Sequence, residues 1–508
     1  MMSRTRTALA AACASALLLT ACGPGKKAAD APSKSDGGVT KSSLPKCPVD
    51  AFKKASGTTE VVLWHSYVGN TLAALTKIVD TYNASQDKVK VRLESQGVNY
   101  QELRRNYETA GGANQLPAIV AGEDTWTQYM IDNGTTMPAS ACMQADDDPR
   151  AKIDDLAPGI KAAYSVGGVQ WPVAFGESTV VLYYNRDHFT AAGLDPNKPP
   201  TNLAELRSAA EALKKVPAPN GPAGEPFAMK LDPWFVENMV SGEGKTLVNH
   251  DNGRDGSRAT KTEIDNPTTV EALDWLAGMK QDGLLNAISS TTLIDHYIAV
   301  ATGKSSMLIE TSNAATLIDQ VTSSTGGLNL SEVVDPKTAE QFKAFDGFKV
   351  GFKVGVAAVP GLTGPGKGQA GGSAFYITKS GSDAVQSAAW DFMKYFNQVD
   401  NQVIWTSQGS YLPVREAAQK ALAADPTWGT SQRGQWITTA FNSMLTLDPD
   451  APGPLIGPYD KFRTAEEAML EKIALGDPAS AKAAVKPALA EATSTIDDAL
   501  AKYNATTK

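Results

Sequence analysis

The chain has 508 residues, more than one ordinary hydrophobic core accommodates, so two packed units are expected. Hydrophobic residues make up 42% of it and charged residues 20%, as in soluble globular proteins. The formal net charge is −8, and no long basic run occurs, which argues against nucleic-acid binding. Beyond the N-terminal segment no apolar stretch is long enough to span a bilayer, so any membrane attachment is expected at the N-terminus.

The N-terminus has the layout of a secretory signal. Arg4 and Arg6 form a short basic region, and an apolar run follows over residues 8–19. The run ends in Leu19-Thr20-Ala21-Cys22-Gly23, which resembles the bacterial lipobox. We therefore expect residues 1–21 to be a lipoprotein signal peptide and Cys22 to carry the lipid that holds the protein at the outer face of the cell membrane. A simple secreted protein with a chance cysteine is the alternative.

Residues 22–58 are rich in Lys, Ala, Ser, Gly, Asp and Pro. A segment of this composition buries too little apolar surface to fold by itself, so it is predicted to be a flexible tether between the anchor and the body.

Two cysteines remain in the exported chain, Cys47 and Cys142. In an oxidising compartment we expect a disulfide between them that pins the end of the tether to the first lobe, and two free buried thiols are the alternative. Together with only four scattered histidines, two distant cysteines make a poor metal site, so no metal and no cofactor are expected.

The body alternates strand and helix patterns, which predicts an α/β fold with extra helices. An apolar run at 61–64, a helical pattern through residue 82 and an alternating strand at 89–93 form the first βαβ unit. Further strands are predicted at 117–120, 180–184 and 354–359. Asn202 and Glu205 have the spacing of a capping box, which predicts the start of a helix that continues to Leu213. Helices are also predicted at 385–396 and from about residue 464 onward.

Several motifs in combination resemble those of the carbohydrate-type extracellular solute-binding proteins, family 1. The similarity runs from residue 61 to the C-terminus and is nearest to the glycerol-3-phosphate-binding members of ABC importers. It rests on Trp64-His65-Ser66, Asn99-Tyr100-Gln101-Glu102-Leu103, Pro117-Ala118-Ile119-Val120, Ser178-Thr179, Leu182-Tyr183-Tyr184-Asn185-Arg186-Asp187, Ala192-Gly193-Leu194-Asp195-Pro196, Pro199-Pro200, Gly371-Gly372-Ser373 and Tyr411-Leu412-Pro413-Val414.

The resemblance implies a two-lobed periplasmic-binding-protein fold of type II, like maltose-binding protein, with hinge strands between the lobes. It places the three crossings near residues 171–178, 354–361 and 448–458. Lobe 1 is then expected to comprise residues 59–173 and 360–447, and lobe 2 residues 178–353 and 458–508. Residues 322–350 do not fit the family pattern and are predicted to be an insertion.

The resemblance also implies a set of ligand-contacting residues in a cleft between the lobes. Ordinary alternatives exist: Tyr100 and Tyr411 as core tyrosines, Glu123 and Asp124 as a solvated pair, Trp234 at the surface or in lobe packing, Arg463 in a surface salt bridge, and Gly372 in a plain turn. Acidic and hydroxyl groups would bind ligand hydroxyls, aromatic rings would stack on the ligand, and Arg463 would hold an anionic group. The set comprises Tyr100, Glu123, Asp124, Ser178, Trp234, Thr311 or Ser312, Gly372, Tyr411 and Arg463.

These features predict a monomeric substrate-binding lipoprotein of an ABC importer, which delivers a sugar or oligosaccharide to the permease subunits. Glycerol 3-phosphate or a glycerophosphodiester is the alternative ligand. An exported glycoside hydrolase is less favoured because Glu123 and Asp124 are adjacent and lack a convincing second carboxylate partner. The chain has no nucleophile elbow, metalloprotease motif or Walker loop, so we expect no enzymatic activity. A sensory lipoprotein would share the fold and stays open.

Overall fold

A six-stranded mixed sheet is the framework of the first lobe. Its strands run in the order β2-β1-β3-β13-β4, and β7 also pairs with β13. Strands β1, β2 and β3 are parallel, whereas β13 is antiparallel to its partners. Because β1 and β3 are parallel, their carboxyl ends lie at one edge of the sheet. The bounds are β1 Thr59–His65, β2 Val89–Ser95, β3 Ile119–Glu123, β4 Thr136–Met137, β7 Val173–Ser178 and β13 Gly371–Thr378.

A five-stranded sheet is the framework of the second lobe, in the order β10-β9-β11-β8-β12. Strands β10, β9 and β11 are parallel, and β8 runs antiparallel to both β11 and β12. The bounds are β8 Val180–Asn185, β9 Phe227–Lys230, β10 Leu285–Ile288, β11 Met307–Thr311 and β12 Val354–Ala358. A separate short hairpin pairs β5 (Ser165–Val166) with β6 (Val169–Gln170). The strands predicted near residues 61, 89, 117, 180 and 354 are confirmed as β1, β2, β3, β8 and β12.

Helices cover both sheets. The α-helices of the first half are Gly69–Ser85, Tyr100–Gly112, Thr127–Asp132, Ala139–Ala145, Pro158–Ala163, Arg186–Ala191, Leu203–Leu213 and Pro233–Gly242. Those of the second half are Pro267–Gln281, Asp295–Ala301, Ala315–Thr322, Asp383–Phe396, Val399–Ile404, Glu416–Ala424, Pro426–Thr430, Gln432–Met444, Tyr459–Ala474 and Ala481–Thr506. The predicted helix start is present: Asn202 caps the helix by accepting from the Glu205 N–H at 2.9 Å, and the Glu205 side chain accepts from the N–H of Thr201, the residue before the cap, at 2.8 Å.

The structure is a computed structural model that describes residues 37–153, 155–217, 224–292, 294–322, 339–340, 343, 347, 349–367 and 369–507. All of these residues belong to one compact unit. No helix in the described ranges has the length and apolar character needed to cross a membrane. The predicted signal peptide, Cys22 and most of the predicted insertion at 322–350 lie outside the described residues.

Strand β8 shows how the two cores are built. All of its residues are buried, and successive side chains enter different apolar clusters. Val181 and Tyr183 join the cluster that contains the first-lobe core, and Val180, Leu182 and Tyr184 join the second cluster. This alternation follows from the period of two in a β-strand and explains why the sequence of β8 is a continuous apolar run.

The chain crosses between the two sheets three times. Strands β7 and β8 are separated by the single residue Thr179, so the first crossing lies one residue beyond the predicted 171–178 segment. The second crossing is residues 359–370, because residues 354–358 belong to β12 of the second sheet. The third crossing is residues 445–458. Helix Gln432–Met444, predicted in the first lobe, packs against β12 of the second sheet, where the ring of Trp436 meets that of Tyr183 edge-on.

The predicted tether is shorter than residues 22–58. Cys47 is joined to Cys142 by a disulfide, and Phe52 is buried with its N–H donating to Ser387 Oγ at 2.8 Å. Val39 and Leu44 also pack against an apolar cluster around Trp171. Residues from Val39 onward are therefore part of the folded body, because a few apolar side chains and the disulfide fix a segment whose average composition is polar.

Close to the third crossing, a strained turn ties the two lobes together. His250, Asp251 and Asn252 are three consecutive non-glycine residues with φ between +51° and +59°. Such conformations are costly and persist only where the surroundings enforce them. Here the Asn252 side chain accepts from the Leu247 N–H at 2.8 Å, and its carbonyl accepts from the Leu455 N–H at 2.8 Å. The turn thereby positions the two arginines that follow it.

Those arginines reach from the second lobe into the first. Arg254 donates to the carbonyl of Gly453 at 2.7 Å and to that of Ala163 at 3.2 Å, which caps the C-terminus of helix Pro158–Ala163. Arg258 forms a two-fold ion pair with Asp132, and both side chains are almost fully buried. These polar contacts add to the apolar cluster of Ile131, Trp171 and Leu455 at the same junction.

Candidate ligand-binding site

A cleft of about 510 Å³ lies between the two sheets, with walls from both lobes. This volume is in the range of small-molecule binding sites. Nine of the ten residues implied by the resemblance line it: Tyr100, Glu123, Asp124, Ser178, Trp234, Thr311, Gly372, Tyr411 and Arg463. Ser312 does not. Its side chain is 1% exposed, and its hydroxyl accepts from the Thr179 N–H at 3.1 Å, so it supports the first crossing instead.

Glu123 and Asp124 form the acidic wall of the first lobe. Glu123 ends β3, and Asp124 follows it at the carboxyl edge of the sheet, where α/β proteins place their ligands. Asp124 Oδ1 accepts from the Gly372 N–H at 3.4 Å. Burial, reinforced by repulsion from Glu123, raises the pKa of Asp124 to about 7 despite the opposing charge of Arg463. Near neutral pH this carboxyl can both donate and accept hydrogen bonds.

A second carboxyl lies behind the acidic wall. Glu177, in β7, has no exposed surface, and its Oε1 accepts from the Tyr164 hydroxyl at 2.9 Å. Burial and the neighbouring Asp124 raise the pKa of Glu177 well above its usual range. Its protonated form adds no negative charge beneath the cleft, which limits the repulsion that Asp124 experiences.

Tyr100 and Tyr411 meet at the aromatic side of the cleft. Asn99 caps the helix by accepting from the Glu102 N–H at 2.9 Å, which fixes Tyr100 at the first helical position. The Tyr100 hydroxyl is 3.0 Å from that of Tyr411 and also bonds Ser373. The Tyr411 ring stacks on Trp405 with centroids 5.5 Å apart. The two hydroxyls thus form a fixed polar pair above an aromatic base.

Ser178 and Gly372 line the floor of the cleft. The Ser178 hydroxyl donates to the Gly371 carbonyl at 3.0 Å, which joins the end of β7 to the start of β13. Gly372 has φ +155°, and a Cβ there would lie 2.4 Å from the Gly176 carbonyl oxygen. Only glycine fits at this position, so the close approach of the two strands, rather than an ordinary turn, explains Gly372.

Trp234 belongs to the second-lobe wall. It lies at the second residue of helix Pro233–Gly242, whose N-terminus is capped by Asp232 accepting from the Trp234 N–H at 3.0 Å. The indole packs so closely on Gly371 that a Cβ on this glycine would be 2.5 Å from the ring. Trp234 therefore contacts the first-lobe strand β13 while one side of it faces the cleft.

Arg463 is held by two carboxylates. Its Nε and Nη2 donate to the two oxygens of Glu237 at 3.0 and 3.2 Å, and its Nη1 donates to Glu123 Oε1 at 3.3 Å. Glu237 is fully buried and also accepts from the Tyr459 hydroxyl at 2.9 Å. Since Glu123 is in the first lobe and Arg463 in the second, this contact bridges the cleft, and most of the guanidinium charge is neutralised within the protein.

The structure adds residues that the sequence did not indicate. Lys230 ends β9 and Glu310 is the second-last residue of the neighbouring parallel strand β11, and both line the cleft with Asp232. Glu310 Oε2 is 3.0 Å from His296 Nε2, and its Oε1 accepts from the Thr311 N–H at 2.8 Å. His296 and Lys230 hold the pKa of Glu310 below its usual value although burial raises it. The strands are short and far apart in sequence, and their ends are neighbours only because β9 and β11 are adjacent in the sheet.

Two lobes that enclose a cleft lined by carboxyl, hydroxyl and aromatic groups define a class: the bilobal ligand-binding proteins. The family model described as bacterial extracellular solute-binding protein matches residues 77–430, more than half of the chain. The chain belongs to this family, which confirms the family-level resemblance. Members of the family are substrate-binding proteins, not enzymes.

Several curated relatives share most of the chain. The sn-glycerol-3-phosphate-binding periplasmic protein UgpB of Brucella abortus (strain 2308) is 27% identical over 370 residues, which cover 72% of this chain and 77% of the relative. UgpB of Yersinia enterocolitica is 23% identical over 470 residues, covering 89% and 95%.

Solved structures show the fold. The cyclic α-maltosyl-1,6-maltose binding protein of Arthrobacter globiformis superposes with a TM-score of 0.64 at 20% identity, covering 88% of this chain and all of that one. Mycobacterium tuberculosis UgpB in complex with glycerophosphocholine gives 0.64 at 17% identity, covering 87% and 99%. Xanthomonas citri MalE, a sugar-binding protein, gives 0.66 at 19% identity, covering 88% and 98%. The predicted maltose-binding-protein-like fold is confirmed.

Proposed function

We propose that this protein is the substrate-binding lipoprotein of an ABC importer and that it binds a neutral sugar or oligosaccharide between its lobes. One observation carries the choice of ligand: carboxyl groups, hydroxyls and aromatic rings face the cleft together, while its arginine is already paired. Carboxyl groups and tyrosine hydroxyls suit ligand hydroxyls, and Trp234 and Tyr411 offer apolar faces to the C–H surface of a ring.

A glycerol phosphate derivative is the second candidate, favoured by the UgpB relatives. A phosphate needs free cationic donors. Arg463 shares its charge with Glu237 and Glu123, and Asp232 and Glu310 add negative charge around the same space. A bound phosphate would be repelled by these groups. The electrostatics of the cleft therefore support the neutral ligand.

The connections and contacts between the two lobes support a mechanism in which the lobes close around the ligand. Three crossings join the sheets, and polar contacts such as Arg463–Glu123 span the cleft. A ligand that bonds to both walls stabilises the closed arrangement over an open one by its differential affinity. The permease subunits of the importer would recognise this closed arrangement, and the chain acts as a monomer.

Membrane attachment belongs to the same proposal. Signal peptidase cleaves after Ala21, and the lipid on Cys22 anchors the chain at the outer face of the cell membrane. The polar segment after Cys22 lets the folded body extend away from the membrane surface. Mass spectrometry of the N-terminal peptide tests this: a diacylated Cys22 is expected, and an unmodified or internally cleaved N-terminus would contradict the anchor.

The function is tested by native mass spectrometry of ligand released from the purified protein, followed by titration of tryptophan fluorescence. We expect a hexose-based mass and saturable binding without turnover. Asp124→Ala and Trp234→Ala should each weaken binding by about 1–3 kcal/mol while leaving the fold intact. A released phosphate ester would favour the second candidate, and product formation would indicate a hydrolase. Unchanged affinity in both variants would place the ligand elsewhere.

A further inference from the structure

The cationic residue in the cleft that lacks a close partner is Lys230. Among the described residues, no carboxylate oxygen lies within the 4.0 Å of an ion pair from its ammonium, and no side-chain hydrogen bond engages it. Its charge acts at longer range on Glu310 and on Glu467. Arg463, by contrast, has Nε, Nη1 and Nη2 each donating to a carboxylate. The two cations of the cleft are therefore not equivalent.

Lys230 is also held in place by its strand. It is the last residue of β9, which pairs in parallel with β10 and β11. Lys230, Asp232 and Glu310 all line the cleft at the carboxyl edge of the second sheet. An ammonium donor and two carboxylates that line the same cleft suit a pair of neighbouring hydroxyls, each of which can accept from the ammonium and donate to a carboxylate.

We propose that Lys230 is the specificity-determining cation of the cleft, contacting the hydroxyls of a neutral polyhydroxyl ligand, and that Arg463 is a positioning residue that holds Glu123 and Glu237 without binding an anion. This inference rests on the proposed function and specifies which residues select its ligand class. Asp232 and Glu310 line the same cleft, and Lys230 acts on Glu310 only at longer range, so the cleft disfavours a phosphate even though it offers a lysine.

The roles of the two residues separate in their variants. Lys230→Met keeps much of the side-chain volume but removes the donors, so binding of a neutral sugar should weaken by about 10- to 100-fold with an unchanged melting temperature. Arg463→Lys keeps the charge but loses the fork that fits Glu237, so the melting temperature should fall while the preference for neutral over phosphorylated probes stays the same. Lys461→Met, an exposed lysine of the same lobe, is the matched control and should bind like wild type.

The experiment is calorimetry on the full mature chain with maltose, maltotriose and α-D-tagatose as neutral probes and glycerol 3-phosphate and glycerophosphocholine as phosphate probes, at low and high salt. Salt-insensitive binding of a neutral probe that Lys230→Met weakens is the expected result. Wild-type binding of that probe with no change in Lys230→Met overturns the inference but leaves the proposed function. A phosphate probe that binds best, weakens with salt and is lost in Arg463→Lys overturns the assignment of both residues. Failure of the wild type to bind any of the five probes removes the proposed function, and the inference with it.

Discussion

Arg258 of the second lobe and Asp132 of the first form a two-fold ion pair with only 6% and 1% of their side chains exposed. Arg258 Nη1 is 2.7 Å from Asp132 Oδ2, and Nη2 bonds Oδ1. Asp132 also accepts from Gln128 at 2.7 Å, which orients the carboxylate. Charges this deeply buried are tolerated only as a pair. The ion pair therefore joins the two lobes, because separating them would leave each charge without its partner.

The first prediction concerns this pair. Arg258→Met leaves the Asp132 carboxylate buried without its partner and should lower the free energy of unfolding by about 3–5 kcal/mol. The double variant Arg258→Met with Asp132→Asn should recover part of that loss. Arg92→Met is the control, because Arg92 is half exposed in its pairs with Glu60 and Glu94 and its loss should cost far less stability. Urea titration measures all three, and equal losses for Arg258→Met and Arg92→Met would show that the buried pair is energetically neutral.

The second prediction concerns the floor of the cleft. Gly372→Ala places a Cβ 2.4 Å from the Gly176 carbonyl and 2.8 Å from Glu177 Cα, at a φ that only glycine adopts easily. We expect a loss of stability of about 2 kcal/mol or more and weakened ligand binding, since β13 must move away from β7. Gly112→Ala is the control: open space surrounds this helical glycine, and stability should stay equal or rise by about 0.5–1 kcal/mol. Wild-type stability and binding in Gly372→Ala would disprove the steric argument.

A third prediction follows from His65. Burial lowers the pKa of this imidazole to about 4, and its Nδ1 accepts from the Tyr67 N–H at 3.2 Å, which requires the neutral ring. Between pH 6.5 and 4 the unfolded chain binds a proton here that the folded chain does not. The free energy of unfolding should therefore decrease by roughly 3 kcal/mol as the pH falls through this window. His65→Asn keeps an acceptor and should remove this dependence; an identical pH profile for wild type and variant would contradict it.

Asp124 gives a pH dependence of the opposite sign. Its pKa of about 7 lies above that of the same carboxyl in the unfolded chain, mainly because of burial. Between about pH 4 and 7 the folded chain holds a proton that the unfolded chain has lost, so this group lowers stability as the pH rises and has no further effect above pH 7. Melting curves of Asp124→Asn should show a smaller decline over this range, and exposed Asp87→Asn should match wild type. A steeper decline in Asp124→Asn would refute the assignment.

The fifth prediction concerns the disulfide between Cys47 and Cys142, which are 95 residues apart in the chain. A link across so long a segment restricts the unfolded chain strongly, so Cys47→Ser with Cys142→Ser should lower the free energy of unfolding by about 2–5 kcal/mol. The cleft residues lie on other elements, and ligand affinity should be retained. Thermal melts of wild type with and without reductant should reproduce the difference. A double variant as stable as wild type would mean that the packing of Phe52 alone fixes this segment.

The sequence predicted the parts of the fold that local patterns encode. Strand β8 is a continuous apolar run because both of its faces are buried, and the Asn202–Glu205 cap marks a helix start by chemistry within four residues. Nine residues that line the cleft were implied by the resemblance to the family. The packing of helix Gln432–Met444 against β12 of the second sheet carried no local signal, because it depends on contacts far apart in sequence.

What the sequence could not indicate is decided by long-range geometry. Lys230 and Glu310 are 80 residues apart in numbering, and only the parallel pairing of β9 and β11 makes them neighbours in the cleft. The hydroxyl of Ser312 looked equivalent to that of Thr311, but the turn after β11 directs it to the Thr179 N–H. Likewise, the pairing of Arg463 with Glu237 depends on the packing of two helices and carries no local signal.

Arg254 differs from the other interlobe cations because its guanidinium is bound by backbone carbonyls rather than by carboxylates. Carbonyls do not titrate, and although burial lowers the pKa of Arg254 to about 10, the side chain keeps its charge in any acidic or neutral medium. An extracellular protein works in surroundings whose acidity the cell does not buffer. The hydrogen bonds of Arg254 persist at a pH at which carboxylate ion pairs are protonated. The junction between the lobes therefore keeps its geometry over a pH range in which the charge of the cleft changes.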